Sequence, residues 1–328
     1  MSAVQPDLGA FDAPARAVPR VTLPDPLRGE RRTLLVATVV SVLAGLVGAA
    51  LLGLGLQDSN RLTDFLVLAG VVAAPTSVLS LLQVSPAAAS RISRFADDNG
   101  WRFAALVDSP GHTGSSFRVG TRQQRLLVVR GELHGHAVEI GNLRYRIGSR
   151  RAPFIPAGYV AVPLPARLPH VVMTSQRALR VRVAFHPRAE DRVALSTDGA
   201  LRVYAREETA HVVRSMLTPD ALQVFARLSR RYCIEIVDGS MFLHARSPLA
   251  TGSGRRWASV LADVAEVCAL LDASPIWSVL RHQPRRALQS LPRLQTGFDE
   301  TRVRTITLLA FGALMAVVTL LVVWVWTW

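Results

Sequence analysis

The stretch TLLVATVVSVLAGLVGAALLGLGL, Thr33 to Leu56, runs 24 residues without a charge. At about 1.5 Å of rise per residue a helix of that length crosses a hydrocarbon core of roughly 30 Å, and a helix satisfies its own backbone there. The run therefore predicts a transmembrane helix. Within it Ala37, Ser41, Gly45, Ala49 and Gly53 recur every four residues and form one smooth stripe. Small residues let helices approach closely in lipid, so the stripe predicts helix packing, either against the chain's other spans or in a homo-oligomer.

Working outward, residues 1–32 contain Pro6, Pro14, Pro19, Pro24 and Pro26 and end in the cluster Arg28, Arg31 and Arg32. Few apolar residues offset the entropy of ordering such a segment, so it reads as a disordered tail. After the short loop 57–64 comes a second apolar run, Phe65 to Val84, broken by Pro75, and a third, Thr305 to Trp328, closes the chain with Trp324, Trp326 and Trp328 at its far end. Seven arginines flank the spans on one side (Arg28, Arg31, Arg32, Arg91, Arg94, Arg302, Arg304) and Arg61 stands alone on the other. Basic residues beside spans stay cytoplasmic. The count predicts a multi-pass protein of a bacterial plasma membrane, with the N-terminus and main domain cytoplasmic and the C-terminus outside.

Between the second and third runs the chain reads as an α+β domain over 85–272, followed by a basic linker over 273–304. Ser85 and Pro86 start a helix that Asn99 and Gly100 stop. Strand patterns follow at Trp101 to Val107, Arg125 to Leu133, Ala137 to Ile147, Tyr159 to Leu164, His170 to Thr174, Leu179 to Phe185 and Ala200 to Tyr204. Thr218, Pro219 and Asp220 open a helix with Val224, Phe225 and Leu228 on its apolar face. Cys233 to Val237 and Met241 to Arg246, joined by Asp238-Gly239-Ser240, read as a hairpin. A last helix spans Gly254 to about Asp272. Strands and helices are segregated, which argues for an α+β domain and against a doubly wound nucleotide-binding fold.

The words FADDNGW (Phe95 to Trp101), SSFRVG (Ser115 to Gly120) and VVRGELHGHAVEIGNLRY (Val128 to Tyr145), with the segment His170 to Thr174, resemble a widespread type of uncharacterised actinobacterial integral membrane protein. The resemblance covers roughly 85–272 and implies a cytoplasmic α+β domain beside a membrane hairpin. It implies no activity and no catalytic residue.

No stretch predicts a reaction centre. His134-Gly135-His136 brings two imidazoles close, but Gly135 between two strand patterns marks a turn, and neither a cysteine pair nor HExxH accompanies it. Cys233 and Cys268 are too sparse for a disulfide framework. The sequence therefore predicts no metal, no cofactor and no catalytic residue. Two loops stand out: the glycine-rich 108–116 (DSPGHTGSS), and Gly252, Ser253, Arg255 and Arg256 in GSGRR at a helix start, a candidate anion site.

The net charge of +14 comes from 38 basic residues against 24 acidic ones, and every basic residue is arginine. Arg281, Arg285 and Arg286 beside Trp277 are placed to meet anionic lipid headgroups of the inner leaflet or an acidic protein partner. Aromatics are scarce at 6% and no nucleic-acid module is recognisable, so no nucleic-acid partner is expected. The reading is a non-enzymatic interaction or regulatory domain at the inner leaflet. The competing class is a small-molecule-binding or metal-dependent hydrolytic domain built around His112, His134 and His136.

Overall fold

The computed structural model describes residues 5–13, 21–53, 85–108, 111–147, 154–175, 186–187, 192–193, 201–273 and 296–297. The chain divides into two compact units, one of residues 1–21 and 87–299, the other of residues 22–86 and 300–328.

Among the described residues, the first unit is built on one antiparallel sheet of nine strands: β1 (Arg102–Val107), β2 (Thr121–Leu133), β3 (His136–Arg146), β4 (Ile155–Pro163), β5 (Val171–Thr174), β7 (Arg192–Val193), β8 (Arg202–Ala205), β9 (Cys233–Val237) and β10 (Ser240–Ala245). Their order is β1-β2-β3-β4-β10-β9-β5-β8-β7. A separate two-residue pair joins β6 (His186–Pro187) to β11 (Thr296–Gly297). The predicted strand Leu179 to Phe185 lies outside the described residues.

Two hairpins take the tight turns that their sequences encode. His134 and Gly135 have φ of 52° and 77°, and Asp238 and Gly239 have φ of 51° and 76°. Left-handed backbone at both central residues matches the twist of the flanking strands. β2 also bulges between Thr121 and Gln124 and between Leu126 and Val129, on either side of Arg125. Such bulges bend a strand and re-aim its side chains.

Alternation along the strands gives the sheet two different faces. One face carries Val138, Ile140, Val160, Val162, Ile234, Ile236, Met241 and Leu243, all buried. Asn142 on this face bonds the backbone of Leu249 and Ala250 just before α6 (Gly254–Ala273), and His136 at the start of β3 reaches Asp272 near its end. α6 therefore runs along the apolar face. α3 (Pro86–Asp98) joins it through Phe95, whose ring lies 4.8 Å from that of Trp257 and 5.6 Å from that of Trp101. α4 (Ala210–Met216) and α5 (Pro219–Leu228) follow β8, and Thr218 caps α5 by accepting from the Ala221 amide. Tyr232 donates to Asp263 and so ties the start of β9 to α6.

Residues 5–13, expected to lack structure, are ordered. α1 (Gly9–Asp12) buries Phe11, which has 6% of its surface exposed.

In the second unit α2 (Asp25–Gly53) forms over the first apolar run. Among the described residues no helix is long and apolar enough to cross a membrane. That finding corrects the expectation of a three-span integral membrane protein and of transmembrane helices within it. Over the first apolar run the helix begins earlier than hydropathy alone predicts. It starts at Asp25, so Asp25, Arg28, Glu30, Arg31 and Arg32 belong to the same helix as the apolar run. Val36, Val39, Val40 and Leu46 stand exposed along it. Ala37, Ser41 and Gly45 of the small-residue stripe are half-buried, and Ala49 and Gly53 continue the helix backbone. The runs Phe65 to Val84 and Thr305 to Trp328 lie outside the described residues.

Candidate functional site

The sheet face opposite α6 carries two carboxylates inside an otherwise apolar surface. Glu139 on β3 and Glu235 on β9 lie among Leu143, Tyr145, Tyr159, Ala161, Val172, Tyr204, Cys233 and Phe242. The segment 111–119 closes over them, burying Phe117 and Val119 in the same cluster. The loop that the sequence marked as glycine-rich is thus a cover, with a short 3-10 turn at Ser115–Arg118. Gly114 makes the approach feasible, since a Cβ there would lie 3.1 Å from the Phe242 ring and 3.2 Å from Glu235 Oε2.

Glu235 is fully buried. Its Oε1 accepts from Ser115 Oγ at 2.6 Å and from His170 Nε2 at 2.8 Å, and its Oε2 accepts from the Ser115 amide at 2.8 Å and from His244 Nε2 at 2.9 Å. Burial alone pushes a carboxyl up, but the hydrogen bonds and charges of His170 and His244 hold Glu235 well below the usual carboxylate range. An ionised carboxylate only accepts, so each imidazole carries its proton on Nε2.

Glu139 likewise accepts four hydrogen bonds, each from a different residue. Its Oε1 accepts from His112 Nε2 at 2.7 Å, Arg125 Nη1 at 2.7 Å and Tyr159 Oη at 2.5 Å, and its Oε2 accepts from Arg130 Nε at 2.5 Å. Burial works against the charge here too, and bonds from His112, Tyr159 and Arg130 overcome it, leaving Glu139 well below the carboxylate range. Burial and the neighbouring Glu139 push the Tyr159 phenol far up. The His112 ring packs between Phe117, Tyr159 and Phe242. The cover thus bonds both carboxylates, through His112 at one and Ser115 at the other.

The order of groups decides what this arrangement does chemically. In nucleophilic acyl transfer a histidine stands between hydroxyl and carboxylate and takes the hydroxyl proton. Here the carboxylate stands between Ser115 and the histidines. Ser115 Oγ spends its proton on Glu235, and both imidazoles present donors to the same carboxylate. The four groups form a clamp.

The other sequence candidates lie elsewhere. His134 sits in the β2–β3 turn and His136 pairs with Asp272 at 2.9 Å, so His112, His134 and His136 do not converge. His211 is exposed. Among the described residues no group of three or more His, Cys, Asp or Glu is arranged to hold a metal ion. At the start of α6, Gly252 O accepts from Arg91 Nη1, Arg256 Nη2 donates to Ser247 Oγ, and Ser253 and Arg255 are exposed. Trp277, Arg281, Arg285 and Arg286 lie outside the described residues.

Sequence reasoning missed Glu139, Glu235, Arg125, Tyr159 and Ser115. A signal was present: Glu235 is the charged residue inside the apolar strand CIEIV, and Glu139 the one inside AVEI.

No family model matches the chain, and no curated protein matches it. Among solved structures it is similar to the crystal structure of the mycobacterial trehalose monomycolate transport factor A, at 18% identity and a TM-score of 0.41, over 57% of this chain and 96% of that one. A likeness of that size assigns no role.

Proposed function

We propose that the chain is a non-catalytic interaction module that engages an acidic partner. The observation that carries this reading is the central position of Glu235, whose oxygens take up the Ser115 hydroxyl and both neighbouring imidazoles. The groups a hydrolase would need are spent on holding the cover to the sheet. The acidic partner is supported by the net charge of +14 and by exposed Arg102, Arg118, Arg122 and Arg130 on and beside the first two strands. Arg102 stands directly opposite Arg130 in the β1–β2 pair. Arg130 also pairs with Glu139 and keeps 48% of its side chain exposed.

The test is binding of the full chain to polyglutamate at low and high salt, with the metal content of the same preparation measured alongside. Salt-sensitive binding without stoichiometric metal is the expected result. Stoichiometric zinc would turn the reading toward a hydrolytic domain. Capture by phosphatidylglycerol vesicles but not by polyglutamate would move the partner from an acidic protein to a lipid headgroup.

A further inference from the structure

The nine-stranded sheet ends in two unlike edges, β7 at one and β1 at the other. β7 is two residues long. A strand that short offers little to pair with, which is one way an edge is kept from meeting other chains. β1 runs six residues, about 20 Å at roughly 3.3 Å per residue. Among the described residues it pairs with β2 and with no other strand, so alternate residues turn their N–H and C=O groups outward without a ladder to meet them. The sequence does nothing to blunt this edge. Phe103, Ala104, Ala105, Leu106 and Val107 include no charge, proline or glycine, and all five are half-buried, while Arg102 before them and Asp108 after them are exposed. Asp108 Oδ1 accepts from Gln124 Nε2 at 3.0 Å, a neutral donor that holds the carboxylate at the end of β1 and leaves its charge in place.

We infer that β1 is the seat of a homodimer, in which the β1 strands of two copies pair antiparallel and join their sheets into one. A two-fold axis sets an edge against itself and closes the assembly at two copies. Charge identifies the second copy as the occupant. Because β1 opens with Arg102 and is followed by Asp108, an antiparallel strand of the same sequence brings a cation beside an anion at both ends of the pair. Centred between Ala104 and Ala105, the pairing puts Phe103 against Leu106 and Arg102 against Val107, next to Asp108 of the second copy. A uniformly acidic strand would meet Arg102 at one end and be repelled by Asp108 at the other. The inference goes beyond the reading of the chain as a module for an acidic partner and stands or falls without it.

Sedimentation velocity of the full chain over a wide range of concentration, with no polyglutamate present, reads the mass, and amide hydrogen exchange on the same samples reads the strand. The expected result is a species of twice the chain's mass, with exchange over 102–107 slowing about tenfold or more as it forms. Arg102→Asp or Asp108→Arg alone sets like charges together at both ends and is expected to weaken the dimer about tenfold, and the two combined are expected to restore it. A chain that stays monomeric overturns the proposal. So does a dimer in which 102–107 exchanges as in the monomer, or one that both single reversals leave unchanged, because its interface then lies elsewhere. The exchange measurement needs no substitution, so it decides the matter even where a reversal does not fold.

Discussion

Tyr159 stands directly opposite Gly141 in the β3–β4 pair, and its hydroxyl reaches past that glycine to Glu139 Oε1 at 2.5 Å. A Cβ on residue 141 would lie 2.9 Å from the Tyr159 oxygen. Gly141→Ala therefore pushes the phenol off the carboxylate and leaves a buried acceptor short of one donor. The expected loss is about 1–3 kcal/mol by chemical denaturation. Tyr159→Phe removes the same bond without the clash and is expected to cost less. If Gly141→Ala costs less than Tyr159→Phe, the close approach does not matter.

The buried carboxylates set the acid limit of the fold. Glu139 and Glu235 are held below the carboxyl value of about 4.3 that an exposed glutamate has in the unfolded chain. A depressed folded value means that the unfolded chain binds the proton first. The stability these groups contribute is therefore fully present above about pH 5 and is lost as pH falls through about 4 and below. Thermal midpoints are expected to drop steeply on the acid side. Glu235→Gln leaves His170 and His244 without their charged acceptor, costs about 3–5 kcal/mol at neutral pH, and flattens the acid limb. An acid limb of unchanged steepness in Glu235→Gln would assign the acid sensitivity to other groups.

The cover should loosen without unfolding the sheet when its own anchor is cut. Ser115 gives Glu235 two bonds, one from its hydroxyl and one from its amide, and Ser115→Ala removes only the first. The expected cost is about 1–2 kcal/mol, because a buried charge loses one of several donors. Amide hydrogen exchange is expected to speed up over 111–118 and to stay unchanged in β9 and β10. Uniform acceleration across the sheet would mean that the cover and the sheet open together.

These clusters mark the boundary of what the sequence discloses. Local chemistry was legible: Asp238-Gly239 and His134-Gly135 take the left-handed turns their residue types favour, and Thr218 caps α5. The cover was legible only as glycine-rich chain, because its role depends on partners far away in sequence, with Ser115 separated from Glu235 by 120 residues. A charge in an apolar strand announces that something must satisfy it, but not which residues do. The N-terminal segment 5–13 was illegible for a related reason. Its prolines suggest disorder, and one phenylalanine finding Phe95 and Trp257 overrides that composition. At the first apolar run, hydropathy located a helix, but the charged residues from Asp25 to Arg32 form part of it.

The two cysteines provide a probe of how the domain opens. Cys233 lies on β9 with β10 and β5 paired on its two sides, and burial first and then Glu235 push its thiol far up. Cys268 is fully buried on α6, and burial first and then Asp272 push its thiol up to about 11. The thiolate is the reactive species, so both sites are protected by low ionisation as well as by burial. Neither is expected to react with a thiol reagent at pH 8 in the native chain, and both are expected to react in guanidinium. In partial denaturant the order is informative. Cys233 lies in the cluster beneath the cover and labels when that face opens, whereas Cys268 labels as soon as α6 lifts from the opposite, apolar face. Faster labelling at Cys268 identifies α6 as a separately opening element. Equal rates at the two sites mean that the two faces of the sheet open in one step.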